Sequence, residues 1–515
     1  MRRLLALLLA ACLGLPLLGC REEAPQPSPS GSPGPSATPA PVPEAARFSL
    51  GYDPAATLHP ITGDNQVNRE LTGLVYQGLY ELDNTFTPQP VLARSAVVSE
   101  DGLSWAFPLA AGAVFSDGTP LTAQHAADSI ELARTSPLYA PRLAGVTSVS
   151  AGEDGAVYVT LSAPNGNLPA LLDVPIVLEQ EEGNAPLGTG YYRYELAGDR
   201  LYLQANPYCP AAAALPYDTI PLSPVSSAAE RIAAFDSGGI TAVTTDFSSP
   251  YALGYSGSYE ASDYPTTSLL YVGFKASSGP CQSPLVRAAF SRAFDRENLT
   301  RVELSGHGDP AALPVSPLSG EYGKTAAALL DFDLDAAAQL LAEAGYAKNK
   351  EDGLLYSRHT PLAVTLLVNS DNDVRQAVAA RLAEALGTLG VTVTVERLPW
   401  ENYSAALAAG RFDLYLGEVR LTGDFDPSTL LTGELNYGGF YNETLALALA
   451  QWRGARGAAR AQAAQALWEQ FAQATPFAPL CFKRGSLLTR WGMASNLQPT
   501  RANPYYQIEH WTTAG

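Results

Sequence analysis

Between residues 363 and 416 the sequence alternates two hydrophobic periods, and this stretch restricts the possible folds more than any other. Residues 363–368 read as an apolar strand. Val374, Val378, Leu382, Leu386 and Leu389 then recur along one side of a helix. Val391-Thr392-Val393-Thr394-Val395 returns to a strand period, 403–409 reads as a short helix, and 412–416 as a further strand. A β-α-β-α-β order packs as a sheet covered by helices, because each element has an apolar face to bury.

The flanking sequence extends the same pattern. Residues 269–274 form an apolar strand and 284–293 a helix. Residues 332–345 form a helix with apolar positions at 334, 337, 340, 341 and 344, stopped at Gly345. Residues 444–474 predict one or two long Ala-rich helices, and 480–489 a strand. The first half is different, mixed and rich in strands: 48–53, 103–109, 156–161, 191–196 and 200–205, the last two joined by an Ala197-Gly198-Asp199 turn. A short helix is expected over 70–80, and another runs from an N-cap at Thr122 to Ala133. Extended sequence after residue 480, with Tyr505, Tyr506 and Trp511 in the tail, fits a chain that crosses back to complete its first lobe.

Ahead of these elements lies an export signal. Arg2 and Arg3 precede a nearly continuous apolar run, Leu4 to Leu18, too short for an ordinary spanning helix. It closes on Leu17-Leu18-Gly19-Cys20, which resembles the bacterial lipobox, in which the cysteine is lipidated and becomes the first residue. From Glu22 to Glu44 the chain is Pro, Ser, Gly, Ala and Thr, which cannot form a core and favours an extended stalk. Residues 21–46, at about 3.1 Å each, reach on the order of 80 Å. Residues 1–19 are thus expected to be signal and 20–46 the lipidated cysteine and linker. The destination is the outer face of the cell membrane, with lipid as a partner through Cys20.

Charge and cysteines exclude several classes. The net charge is −19, and losing Arg2 and Arg3 makes the exported chain about −21, so nucleic acid is not an expected partner. Cys209, Cys281 and Cys481 remain after export and match no metal spacing; one disulfide is open to them, with no pair preferred. His59 and His125 have no partner at ligand spacing, and no cofactor or metal is expected. No Gly-x-Ser-x-Gly or His-Glu-x-x-His motif supports a hydrolase. Asp424 and Asp426, two residues apart in a loop, are poorly placed to straddle a glycosidic bond.

Seven blocks resemble, in order, the extracellular solute-binding proteins of family 5, which serve ABC importers of peptides, oligopeptides and nickel. They are Tyr76-Gln-Gly-Leu-Tyr80 with Pro90-Val-Leu-Ala93, Phe115-Ser-Asp-Gly-Thr-Pro-Leu-Thr122, Gly188-Thr-Gly-Tyr-Tyr-Arg193, Val286-Arg-Ala-Ala-Phe-Ser-Arg-Ala-Phe-Asp-Arg-Glu-Asn298, Leu340-Leu-Ala-Glu-Ala-Gly-Tyr346 and Gly410-Arg-Phe-Asp-Leu414. The resemblance implies an α/β, two-lobed periplasmic-binding-protein-like fold of type II with an extra subdomain in the first lobe. Its lobes would be 47–265 and 266–478, with 479–515 returning to lobe I. It also implies capture of a small peptide for an ABC transporter permease, with a sensory or non-peptide solute-binding lipoprotein as the alternative.

The resemblance further implies a ligand site. Peptide-binding members carry an aspartate that pairs with the peptide amino group, and Asp424 in Arg420-Leu-Thr-Gly-Asp-Phe-Asp426 occupies the matching place. Leu421 stands where the family has tryptophan. Arg420 beside it has two readings, neutralising Asp424 or holding a ligand carboxylate. Asp424 itself also reads as a turn residue before Pro427. Asp426, Trp400, Tyr403 and Tyr437 complete the candidate ligand contacts; loop aromatics offer contact area at small entropy cost.

Overall fold

A computed structural model describes residues 48–181, 183–248 and 254–513. The expected signal, Cys20 and stalk lie outside the described residues.

A seven-stranded sheet organises the second half. Its path runs Ala242–Thr245, Phe477–Arg490, Tyr259–Phe274, Leu414–Arg420, Ala363–Asn369 and Thr392–Leu398, with Gly308–Pro310 added against Phe477–Arg490. Ala363–Asn369 pairs in parallel with both Thr392–Leu398 and Leu414–Arg420, the outcome of the β-α-β-α-β order. The two long strands, Tyr259–Phe274 and Phe477–Arg490, run antiparallel, with a register break between Pro265 and Leu269.

Strand side chains alternate across this sheet, so each face has its own core. On one, Val272, Phe274, Leu366 and Val368 pack under Val286, Phe290, Leu341, Val378 and Leu382. On the other, Tyr271, Leu367 and Tyr415 pack against Trp452, Leu467, Trp468 and Phe471 of the helices Glu443–Gly454 and Gly457–Ala474. Helix limits follow local chemistry. Asn372 caps Asp373–Leu389, Gly390 in the left-handed region ends it, and Asp333 caps Leu334–Glu343.

The first half builds two four-stranded sheets, one joining Leu50–Tyr52, Thr219–Pro224, Arg200–Ala205 and Tyr192–Ala197, the other joining Val97–Val98, Ser104–Pro108, Ala156–Leu161 and Val146–Ala151. The tail enters this core. Phe48 stacks on Tyr217 and meets Trp511 edge-on at 5.9 Å, and Tyr505 and Ile508 are buried with it.

Three local expectations shift. The helix expected over 70–80 begins earlier, because Asn65 caps Gln66–Glu70, and ends at Val75, where Tyr76 turns extended. The helix expected from 403 begins at Trp400, which turns Tyr403 inward. The strand expected over 412–416 runs Leu414–Arg420 and so carries Arg420 at its end. The three cysteines are free and buried.

The Val286–Asn298 block has a structural explanation. Arg287 donates to the carbonyls of Ala474 and Thr475, which end the long helix, and to those of Cys281 and Gln282. Arg296 donates to four further carbonyls and to Ser291 Oγ. Both arginines collect main-chain acceptors at element ends, several of them buried.

Candidate functional site

Where strand Leu414–Arg420 ends, the chain enters a tight loop. Phe425 takes φ 55°, in the left-handed region that a bulky side chain enters at a cost of roughly 1–3 kcal/mol. Packing sustains it: Phe425 is buried edge-on against Phe86 at 4.7 Å and Phe482 at 5.4 Å. Phe86 belongs to the first half of the chain, so this loop lies where the first and second halves meet.

The loop turns Asp424 inward and leaves it 6% exposed. Its carboxylate accepts from Thr422 Oγ1 at 2.5 Å and from Asn165 Nδ2 at 3.1 Å, the latter reaching over from the first half. Both donors are neutral. Burial, then the nearby charge of Asp426, raises the Asp424 pKa against the opposing hydrogen bonds and Arg460. Asp426 is differently placed, accepting from Ser428 and pairing with Arg453 Nε at 3.1 Å. Two carboxylates two residues apart thus differ: one is matched by a cation and the other is not.

The remaining predicted residues scatter. Arg420 is exposed and, among the described residues, makes no ion pair with Asp424. Tyr403 is 3% exposed and donates to Leu416 O at 2.8 Å, making it a core residue. Trp400 is exposed and stacks on Tyr403, whereas Tyr437 is half-buried against Tyr415. The structure therefore brings Asp424 and Asp426 together with residues not singled out from sequence: Asn165, Thr422 and Arg453. Only the turn-like Pro164-Asn165-Gly166-Asn167 carried any signal of this.

Asn165 is positioned by a close approach of backbones. Gly166 N donates to Arg453 O at 2.6 Å, and a Cβ on Gly166 would lie 1.8 Å from Ala455 O. Arg456 fastens the same corner through the carbonyls of Ser99 and Glu100. On the other side of Asp424, a Cβ on Gly423 would meet Ala170 O at 2.6 Å. Small residues let the two halves touch here.

Solved structures with this architecture are two-lobed binding proteins. The chain superposes on the MppA periplasmic murein tripeptide-binding protein in its unliganded open form with a TM-score of 0.76, at 20% identity over 91% of this chain and 98% of that one. Against NikZ from Campylobacter jejuni, solved with Ni(L-His), the TM-score is 0.62 at 19% identity, covering 90% and 99%. The fold is therefore the two-lobed, periplasmic-binding-protein-like one. Residues 87–441 match the bacterial extracellular solute-binding proteins, family 5, and the chain belongs to that family. It is 26% identical over 381 residues to the oligopeptide-binding protein AppA of Bacillus subtilis (strain 168), and 26% over 321 residues to the glutathione-binding protein GsiB of Escherichia coli (strain K12). These matches cover 65% and 59% of this chain and only 66% and 62% of those relatives. The family is a binding class, not a catalytic one.

Proposed function

We propose that this chain is a lipid-anchored receptor on the outer face of the cell membrane that captures small peptides and delivers them to an ABC import permease. The observation that carries the peptide reading is Asp424: a desolvated carboxylate, where the two halves of the chain meet, held only by neutral donors. Such a group gains from a ligand ammonium, since a charge-assisted bond in a drier site is stronger than in water, less the desolvation of both ions. The free amino end of a peptide supplies that ammonium and would take the place of the Asn165 amide. The relatives, oligopeptide-binding AppA and glutathione-binding GsiB, agree with a peptide-like ligand.

On this reading the lobes are 47–265 and 266–478, with 479–515 returning to the first. The register break after Pro265 would act as part of the hinge. Asp424 binds the amine, Asp426 with Arg453 holds the loop, and Tyr403 is left to the core. In calorimetry with tri-L-alanine, Asp424→Ala is expected to weaken binding by more than about tenfold, or ~1.4 kcal/mol. N-acetylation of the peptide should weaken the unaltered protein similarly. Unchanged affinity would remove Asp424 from the site, and no binding of any free peptide would sink the peptide reading.

Anchoring rests on Gly19-Cys20 at the end of the apolar run. Stable retention by acyl chains follows from about 0.8 kcal/mol per buried CH₂ over more than one chain. Cys20→Ser is expected to shift the protein from the membrane fraction to the soluble one. Full retention in washed membranes would refute the lipid anchor.

A further inference from the structure

A second concavity, of about 370 Å³, lies at the other end of the seven-stranded sheet from the Asp424 loop. Strand Tyr259–Phe274 marks the separation. Ser268 pairs with Arg420 at one end and Phe274 with Leu414 at the other, about 20 Å apart at roughly 3.4 Å per residue. Three segments enclose the concavity: the turn after Phe274, the loop ahead of helix Glu443–Gly454, and the end of helix Gly457–Ala474. Its volume falls in the range of about 300–1,000 Å³ that holds small molecules.

The loop is fixed by a close approach and an amide clamp. A Cβ on Gly438 would lie 1.9 Å from Phe274 O, so glycine lets the loop rest on the strand end, where Ser277 N donates to Gly438 O at 3.0 Å. Asn436 holds both main-chain groups of Phe440, donating to its carbonyl at 2.8 Å and accepting from its amide at 3.0 Å. Phe440 is thereby laid over the Arg287 guanidinium at 5.5 Å. The next residue, Tyr441, is left 80% exposed at the rim.

The lining is electrically quiet. Among the described residues Arg287 is the one charged group in it, and it is 5% exposed. Its N–H groups point to the carbonyls of Ala474, Thr475, Cys281 and Gln282, so its charge is matched by the carbonyl end of a helix. Around it stand Gln282, Gln470 and Gln473. Among the described residues their side-chain amides have no hydrogen-bond partner, and the hydroxyls of Tyr441 and Thr444 have none either. Gln465, on the same helix as Gln470, is by contrast bonded to Glu469 at 3.0 Å.

These groups select among solutes. A lining without carboxylates offers nothing to an ammonium, and a chain of net charge −19 repels anions. Each glutamine amide both donates and accepts, as a ligand hydroxyl does. An exposed tyrosine ring adds a flat apolar face. We propose that this concavity binds a neutral saccharide, its hydroxyls held by Gln282, Gln470 and Gln473 and one face of a sugar ring set against Tyr441. The site is separate from Asp424 and stands whether or not the chain captures peptides.

Saturation-transfer NMR of the purified protein with maltotriose and with tri-N-acetylchitotriose, each up to about 10 mM, tests this. A saturable signal is expected from at least one of them. Gln470→Ala and Tyr441→Ala should each weaken its apparent affinity at least about fivefold, the loss of one hydrogen bond or one ring contact. Tyr441 is exposed, so its removal leaves folding intact and should leave tri-L-alanine binding unchanged. No signal from either sugar, or a signal that both variants keep, overturns the site. A signal lost in Asp424→Ala places the sugar on the Asp424 loop and overturns it as well. Glucuronate bound more tightly than either neutral sugar, and lost in Tyr441→Ala, overturns the neutral assignment.

Discussion

Arg296→Leu is expected to lower the free energy of unfolding by on the order of 3–5 kcal/mol. Arg296 is 6% exposed and, among the described residues, has no acidic partner. Its guanidinium instead donates to Pro479 O at 2.8 Å, Ser291 O at 3.1 Å, Phe294 O at 3.4 Å, Leu330 O at 2.9 Å and Ser291 Oγ at 2.8 Å. Burial alone pulls its pKa down to about 10, but the group stays charged at neutral pH. Leucine removes a buried cation, which is favourable, and leaves up to three carbonyls, those of Pro479, Phe294 and Leu330, without donors, each costing roughly 1–3 kcal/mol. The second effect wins because the acceptors are main chain and cannot turn to water. Urea unfolding followed by tryptophan fluorescence measures the difference. A midpoint unchanged from the parent would mean that the carbonyls find other donors. Arg296→Lys should fall between, since one ammonium offers only three donors and no planar fork.

Gly166→Ala is expected to open the contact between the two halves and weaken peptide binding by more than about tenfold. A methyl carbon 1.8 Å from Ala455 O cannot be relieved by rotating a side chain, because the obstacle is backbone. The loop must retreat, breaking the Gly166 N to Arg453 O bond and drawing Asn165 away from Asp424. Each half keeps its own core, so unfolding should change little. Small-angle scattering should show a larger radius of gyration, and calorimetry a weaker ligand. An unchanged radius with unchanged affinity would show that the 453–456 turn yields instead.

Fold class was legible because hydrophobic period is a local property. Residues 363–416 announce strands and helices without reference to anything distant, and the caps at Asn372, Asp333 and Thr122 are read within a few residues. Helix 284–293 and strands 156–161 and 200–205 fall where the period places them. Boundaries moved where a tertiary contact intervened. Tyr76 leaves the helical region where Gly188 and Gly190 pack on the Val75 carbonyl. Tyr403 reads as the first residue of a short helix and a candidate ligand contact until the helix is seen to begin at Trp400, which turns its ring toward Leu416.

Sequence alone settled the alternation of strand and helix and, through the order of its blocks, the resemblance to a family of solute receptors; the export signal and its Cys20 are also its reading. These are chemical statements about neighbours along the chain. Only the tertiary structure decided that Asp424 lacks a cation while Asp426 has one, and that Arg420 is exposed and makes no ion pair with Asp424 among the described residues. Asn165 and Asp424 are 259 positions apart. Electrostatics depends on distance and burial, and no spacing in one sequence reports either.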